Sequence, residues 1–123
     1  MKVRAIVVPQ CMSNKIYITE IDSDSADIIC NILNCSNFDF ISLYRSNTHS
    51  LDAFIKDSSN SNCLQVNEYF TIPFAMNIIP SNINGSAIIS LTDRYGNTVD
   101  LNPNEIKSLL ITKFKFKDRF FNF

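Results

Sequence analysis

The 123-residue sequence predicts one small α+β domain, with an antiparallel or mixed β-sheet, one principal helix and a short C-terminal helix. Two patterns predict this class. Short apolar runs with period-two alternation recur along the chain, and only about 23–35 and about 103–110 carry helical signals. A chain of this length buries roughly two-thirds of its unfolded surface, enough for a core. We expect residues 1–112 to form the domain and residues 113–123 to form a tail.

The chain opens with a predicted β-hairpin. Residues 3–8 form a continuous apolar run that ends at Pro9, and residues 16–21 alternate between apolar and polar side chains. The segment between them has turn character, so the two runs are predicted to pair as neighbouring strands.

The principal helix is predicted from four aliphatic residues at helical spacing: Ile28, Ile29, Ile32 and Leu33. Asp22, Ser23 and Asp24 supply capping oxygens, and their charges suit the positive end of the helix dipole. A calcium loop on the same aspartates is the alternative. It is disfavoured because the glycine and the glutamate that such a loop needs at its sixth and twelfth positions are missing.

Further strands are predicted where apolar and polar residues alternate again: 38–44, 51–57, 68–74, 86–92 and 98–101. Pro73 ends the third of these, and residues 93–97 form the loop of a hairpin between the last two. Gly85 and Gly96 are the only glycines, and each falls where a strand begins or a hairpin turns. This placement indicates that the backbone needs them.

The short C-terminal helix is predicted from its first turn. Asn102 is the cap, Pro103 occupies the first helical position, and Glu105 follows three residues after the cap. From Leu110 onward the pattern changes to period two, which predicts an edge strand followed by an aromatic plug in residues 113–123.

The composition excludes several kinds of site. The cysteines (Cys11, Cys30, Cys35 and Cys63) and the single histidine, His49, show no zinc spacing, and reduced, mostly buried thiols are the favoured interpretation. Disulfides stay open for a secreted protein. The sequence lacks the glycines that phosphate-binding loops need. No local sequence signature supports a catalytic cysteine–histidine pair. We therefore expect a non-enzyme without cofactor or metal.

The N-terminal apolar stretch is too short for a signal peptide, and no apolar run approaches the ~20 residues of a membrane helix. We expect an intracellular (cytoplasmic) protein or one within a virion. The net charge is −1. The tail carries four cations and one anion, Asp118, so its net charge is +3. The rest of the chain therefore has a net charge of −4. An acidic body disfavours a general nucleic-acid binder.

The tail motivates the main functional hypothesis, a non-catalytic assembly protein that docks a protein partner or a second copy. The candidate partner-binding residues are Phe114, Phe116, Phe120, Phe121, Phe123, Lys113, Lys115, Lys117 and Arg119. Five phenylalanines exposed together would exceed the apolar patch normal for a monomer, so this domain or a partner must cover most of them. A last strand within the domain is the alternative, with its lysines facing solvent.

Two other functions stay open. A small, nucleotide-like ligand would use side chains of the kind found at Tyr44, Arg45, Tyr69, Arg94 and Tyr95. The basic–aromatic tail also has a composition typical of segments that bind single-stranded nucleic acid or a membrane surface, although it has few cations for either.

Three stretches carry a resemblance to a family: the opening strand through Ile21-Asp22, the segment from Asp52-Ala53-Phe54-Ile55 to Ile72-Pro73 and Asn77, and Asn84 through Ile89 with Asp93 and Gly96. They resemble an uncharacterised phage and bacterial family, domain of unknown function 3846, over about residues 1–106. The loop beginning Asp57-Ser58-Ser59 departs from its pattern. The resemblance implies this fold and a viral or phage-like accessory or structural subunit, and it implies no activity.

Overall fold

The computed structural model describes residues 1–57, 66–71 and 83–123. The described elements, in chain order, are β1 (Lys2–Val8), β2 (Tyr17–Asp22), α1 (Asp27–Leu33), β3 (Phe38–Arg45), β4 (His49–Lys56), a 3-10 turn (Glu68–Thr71), β5 (Ala87–Asp93), β6 (Thr98–Val99), α2 (Pro103–Phe114) and a second 3-10 turn (Asp118–Phe120). The prediction of a small α+β domain is confirmed.

The strands of this part of the chain form one antiparallel sheet in the order β2-β1-β5-β4-β3. β6 pairs with β5 at Leu91 and Thr92, beyond the last pair that β1 forms with β5, Ile6 with Ile89. Arg4 fastens this junction, because its main-chain N–H and its guanidinium both donate to the Asp100 carboxylate, each at 2.7 Å at the closest. The predicted hairpins of β1 with β2 and of β5 with β6 are both present.

A hydrophobic core lies on each face of the sheet. On the first face, Ile6 and Val8 pack with Leu110 and Phe114 of α2 in the larger core. On the second face, β1 side chains such as Val7 pack under α1 in a smaller core. α1 has only seven residues, and the polar halves of β4 and β5 on this second face carry no described helix.

The two helices differ in length from the prediction. α1 begins at Asp27, and the oxygen of Asp22 that was predicted to cap it accepts instead from the Asp24 N–H within a turn. α2 is the longer helix and continues to Phe114. Its predicted cap is confirmed, because the Asn102 side chain accepts from the main-chain N–H of Asn104 at 3.1 Å and of Glu105 at 3.4 Å.

The strand predicted over residues 68–74 begins as a 3-10 turn, and its last three residues lie outside the described part of the chain. Asn67 explains the turn, because its side-chain oxygen accepts from the Tyr69 N–H at 3.0 Å and gives the backbone a local alternative to a strand. Both glycines have positive φ, 75° at Gly85 and 86° at Gly96, as the turn positions predicted.

Candidate functional site

The phenylalanines of residues 113–123, called here the C-terminal segment, are covered by this chain's own core. Phe114, Phe116, Phe120 and Phe121 are between 1% and 9% exposed, and Phe123 packs at the edge of the same cluster. The sequence left open whether this domain or a partner buries these rings, and in the structure the domain's own core buries them. They form part of the fold, and their burial gives no support to a partner-binding surface.

Ring contacts and main-chain bonds hold the C-terminal segment in place. The Phe116 ring lies 5.5 Å from Phe70 and 6.0 Å from Tyr69. Beside the start of β2, the Ile16 N–H donates to the Phe120 carbonyl at 2.9 Å, and the Asn122 N–H donates to the Ile16 carbonyl at 2.8 Å. These two bonds form an isolated parallel bridge between Ile16 and Phe121.

Lys107 of α2 attaches the end of the segment to the helix. Its ammonium group lies 3.1 Å from an Asp118 carboxylate oxygen, and it also donates to the main-chain oxygen of Phe123. The same group lies 5.5 Å from the ring centre of Phe121 and 5.6 Å from that of Phe123. These contacts combine an ion pair with two cation–π contacts at one point.

The predicted edge strand differs from the structure. α2 crosses the expected boundary at residue 112, Lys115 ends the helix at φ 60°, and the Phe116 N–H donates to the Leu110 carbonyl at 3.2 Å. Leu110 and Phe114 are one helical turn apart, so their shared burial arises from a helix and not from strand alternation. The predicted sidedness is present, because all the cations of the segment, Lys113, Lys115, Lys117 and Arg119, are exposed.

A concave surface lies elsewhere, on the second face of the sheet beyond α1. We call it the sheet-face groove, and its volume is about 500 Å³. It is lined by Phe40, Arg45, Ser46, Asn47, Thr48, His49, Ser50, Asp52, Phe54, Thr92, Asp93, Arg94, Gly96 and Thr98. The volume falls in the range of roughly 300–1,000 Å³ typical of small-molecule sites.

A carboxylate lies at the floor of the sheet-face groove. Asp52 is 7% exposed, and its two oxygens accept from the Ser50 hydroxyl at 2.7 Å and from the Thr92 hydroxyl at 2.9 Å. Ser90 lies directly opposite Asp52 in the sheet, and its fully buried hydroxyl has no hydrogen-bond partner among the described residues. Burying polar groups costs free energy, so an ordinary core contains few of them. Asp52 and Ser90 therefore distinguish this face of the sheet from an ordinary apolar core.

Two arginines line the mouth of the groove. Arg45 donates from Nε to the Ser42 hydroxyl at 3.2 Å, and Arg94 lies over the Tyr95 ring at 5.0 Å. Within residues 1–57, 66–71 and 83–123, neither guanidinium forms an ion pair with a carboxylate. Their charges are therefore available to an anion, which Arg binds with paired hydrogen bonds.

A β-bulge directs Arg45 into the groove. The register of β3 against β4 shifts between Ser42 and Tyr44, so that Tyr44 lies opposite Leu51 and Arg45 lies opposite Ser50. Leu51 belongs to the core of the first face, whereas Ser50 lines the groove. Since one extra residue changes which side chains share a face, the bulge decides that an arginine reaches this site.

The neighbouring carboxylate, Asp93, is used by the hairpin itself. Its oxygen accepts from the main-chain N–H of Asn97 and of Tyr95, both at 2.9 Å. The Asn97 bond first, and the Tyr95 bond after it, hold the pKa of Asp93 below its usual range. Asp93 therefore shapes the loop that carries Arg94.

Aromatic rings form the remaining wall. Phe40 on the edge strand β3 is 66% exposed, which is unusual for so large an apolar side chain. Phe54 packs edge-to-face on Phe38 with ring centres 5.4 Å apart, and thereby closes one end of the groove. A flat ligand ring has a stacking surface available at Phe40.

The structure brings together only part of the ligand-binding set that the sequence indicated. Arg45 and Arg94 line one groove, and Tyr95 contacts Arg94 at its rim. Tyr44 faces the other side of the sheet, and Tyr69 is fully buried in the larger core. Sequence reasoning missed Asp52 and Phe40. Alternation within β4, with Ser50, Asp52 and Phe54 on one side, was the signal available for Asp52.

Other kinds of site find no support in the described residues. None of the His, Cys, Asp and Glu side chains in these ranges form a group of three or more suited to a metal ion. Among the same residues, no helix combines the length and the apolar character needed to cross a bilayer.

Comparison of the chain with protein-family models, with curated proteins and with solved structures gives no match. The fold and the groove are thus the observations from which function is argued. The resemblance of residues 1–106 to a phage and bacterial family stays a prediction.

Proposed function

We propose that this chain is a non-catalytic binding protein whose sheet-face groove holds a small anionic, nucleotide-like ligand. The observation that carries the proposal is the convergence of three chemistries in one cavity of about 500 Å³. A buried carboxylate, two arginines and an exposed aromatic ring line the same space.

Each chemistry recognises a different part of such a ligand. Arg45 and Arg94 match the oxygens of a phosphate or carboxylate. Asp52 accepts hydrogen bonds only, so it selects N–H or O–H donors such as those of a base or a sugar. Phe40 offers its face to a planar ring.

Binding is favoured over catalysis because the polar groups of the groove already have structural partners. Asp52 accepts from two hydroxyls, Asp93 accepts from two main-chain N–H groups, and the His49 ring pairs with the Thr48 hydroxyl at 2.8 Å. A nucleophile paired with a base that a third group orients, the arrangement typical of covalent catalysis, is not formed among the described lining residues.

The test is a thermal-shift and calorimetric comparison of nucleoside monophosphates, the matching nucleosides, and inorganic phosphate. A ligand at 100 times its Kd stabilises the native state by about 2.7 kcal/mol, which is a clear shift in Tm. We expect a monophosphate to bind more tightly than its nucleoside or phosphate alone. Arg45→Gln is expected to weaken the monophosphate about tenfold or more and to leave nucleoside binding nearly unchanged.

The matched control is Arg119→Gln, which removes the same charge from the exposed C-terminal segment. It should leave every affinity unchanged. The proposal is abandoned if none of the probes binds at millimolar concentration, or if both arginine variants weaken binding equally. The latter result would indicate attraction by overall charge alone.

A second candidate is assembly through the exposed cations of the C-terminal segment, as in a viral or phage-like accessory or structural subunit. Four cations stand on the solvent side of a segment that is itself well packed, and the rest of the chain is acidic. An acidic surface on a protein partner or a second copy suits them. Replacing all four by serine, and measuring mass by light scattering, tests self-association. A mass equal to that of the wild type would exclude a homo-oligomer that these four cations hold together.

A further inference from the structure

The end of α1 places two cysteines at one turn. The Cys35 N–H donates to the Cys30 carbonyl at 3.1 Å, the Asn34 N–H donates to the Asn31 carbonyl at 3.3 Å, and Asn34 has φ 53°. This pair of bonds defines a Schellman motif, in which the first and last residues commonly bring their side chains into contact. Here both of those residues are cysteines.

The thiol of Cys35 is influenced by that of Cys30. Burial first, and then the neighbouring Cys30 thiol, raise the pKa of Cys35. The Cys30 thiol itself donates to the Ser36 carbonyl at 3.8 Å. Both side chains are partly exposed and neither is in a disulfide. Neither residue is among the fully buried residues of the core, and Cys35 packs at the edge of the smaller core.

We propose that Cys30 and Cys35 are a redox-sensitive modification site that closes reversibly into an intramolecular disulfide. The oxidant is a small disulfide of the glutathione class. One protein thiolate attacks it, forms a mixed disulfide and releases one small thiol. The second protein thiolate then attacks the protein sulfur of that mixed disulfide, and the second small thiol leaves. Two electrons pass to the small disulfide, and the two protein thiol protons end on the released thiols.

The backbone geometry favours this closure. A disulfide needs Cα atoms within about 7 Å and Cβ atoms that point together. A direct main-chain hydrogen bond already joins the two residues across one turn, so closure begins from a backbone that brings them together. Cys11, the other described cysteine, contacts the Ser13 hydroxyl at 3.0 Å and lies in the β1–β2 connection.

Closure would act on the groove through Phe38. The bond would tie α1 to the segment that leads into β3, whose first residue, Phe38, packs on the groove wall at Phe54. A cross-link restricts the unfolded chain, so the oxidised form is expected to have a higher Tm than the reduced form.

The experiment treats the reduced full chain with oxidised glutathione and measures intact mass and disulfide-linked peptides. We expect a mass lower by two hydrogen atoms, one linkage between Cys30 and Cys35, and reversal by dithiothreitol. Cys11→Ser, the matched control, should oxidise in the same way. Cys35→Ser should stop at a glutathione adduct on Cys30. A linkage that contains Cys11 or Cys63, or adducts alone in the unaltered chain, would overturn the proposal.

Discussion

The Phe116→Ala substitution tests whether the C-terminal segment is part of the core. Phe116 is 2% exposed, and its ring lies within 6.5 Å of four other aromatic rings. Truncating a buried phenylalanine costs about 3–5 kcal/mol, since the transfer energy is lost and a cavity remains. A chain of 123 residues has a free energy of unfolding of roughly 6–18 kcal/mol. We expect a folded variant with a Tm lower by roughly 10–20 °C.

Urea unfolding followed by circular dichroism, at two protein concentrations tenfold apart, is the assay. If the ring is covered by its own chain, the loss is the same at both concentrations. If a second copy covers it, stability depends on concentration. Phe40→Ala is the control, because Phe40 is 66% exposed and its truncation should change stability by about 0.5 kcal/mol or less. Equal effects of the two substitutions, or a concentration-dependent loss, would refute the burial argument.

Two further predictions concern polar contacts. Asn67→Ala should lower the free energy of unfolding by about 2–4 kcal/mol, because the buried side-chain amide donates to the carbonyls of Val8, Pro9 and Gly85 and its loss removes that donor. Urea unfolding beside the exposed control Asn31→Ala measures it, and equal midpoints would contradict it. The Arg4 side chain lowers the pKa of Asp100, so the pair stabilises above the ordinary carboxyl pKa of about 4 and its contribution is lost as pH falls through the lowered value. The stability gap between the wild type and Arg4→Met should therefore shrink between pH 7 and pH 2.5, and a constant gap would contradict it.

Local signals predicted the parts of the fold that depend on neighbours in sequence. The Asn102 cap and the positive φ of Gly96 follow from hydrogen-bonding and steric rules that act within a few residues. The predicted start of α1 was wrong for a related reason. The Asp22 side chain can accept a hydrogen bond within a turn as well as at a helix cap, and here it accepts within the turn. Capping residues indicate where a helix can begin, but other local hydrogen bonds of the same side chains determine whether it begins there.

The C-terminal segment shows where periodicity is ambiguous. Leu110, Phe114 and Phe116 satisfy period-two spacing, yet Leu110 and Phe114 also satisfy the one-turn spacing of a helix. Packing against the sheet decided between them, since both side chains belong to the larger core. Such tertiary preference is not encoded in a window of ten residues.

The sheet-face groove depends on contacts that are distant in sequence. Arg45 and Arg94 come together only because β4 pairs with β5 and β3 pairs with β4. Their residue types were recognisable as ligand-binding, but their grouping was not. The bulge that turns Arg45 inward has no clear signature in the residues around it.

The extra residue in β3 makes the charge of the groove a matter of strand pairing. If β3 continued regularly from the Ser42–Asp52 pair, Tyr44 would lie opposite Ser50, where Arg45 now lies. A cation at the mouth would then be exchanged for a phenol without any substitution. Deleting Leu43 would also make the pairing regular, but it would keep Arg45 opposite Ser50. Deletions are usually regarded as damage to a strand, whereas this one would preserve a site suited to anions.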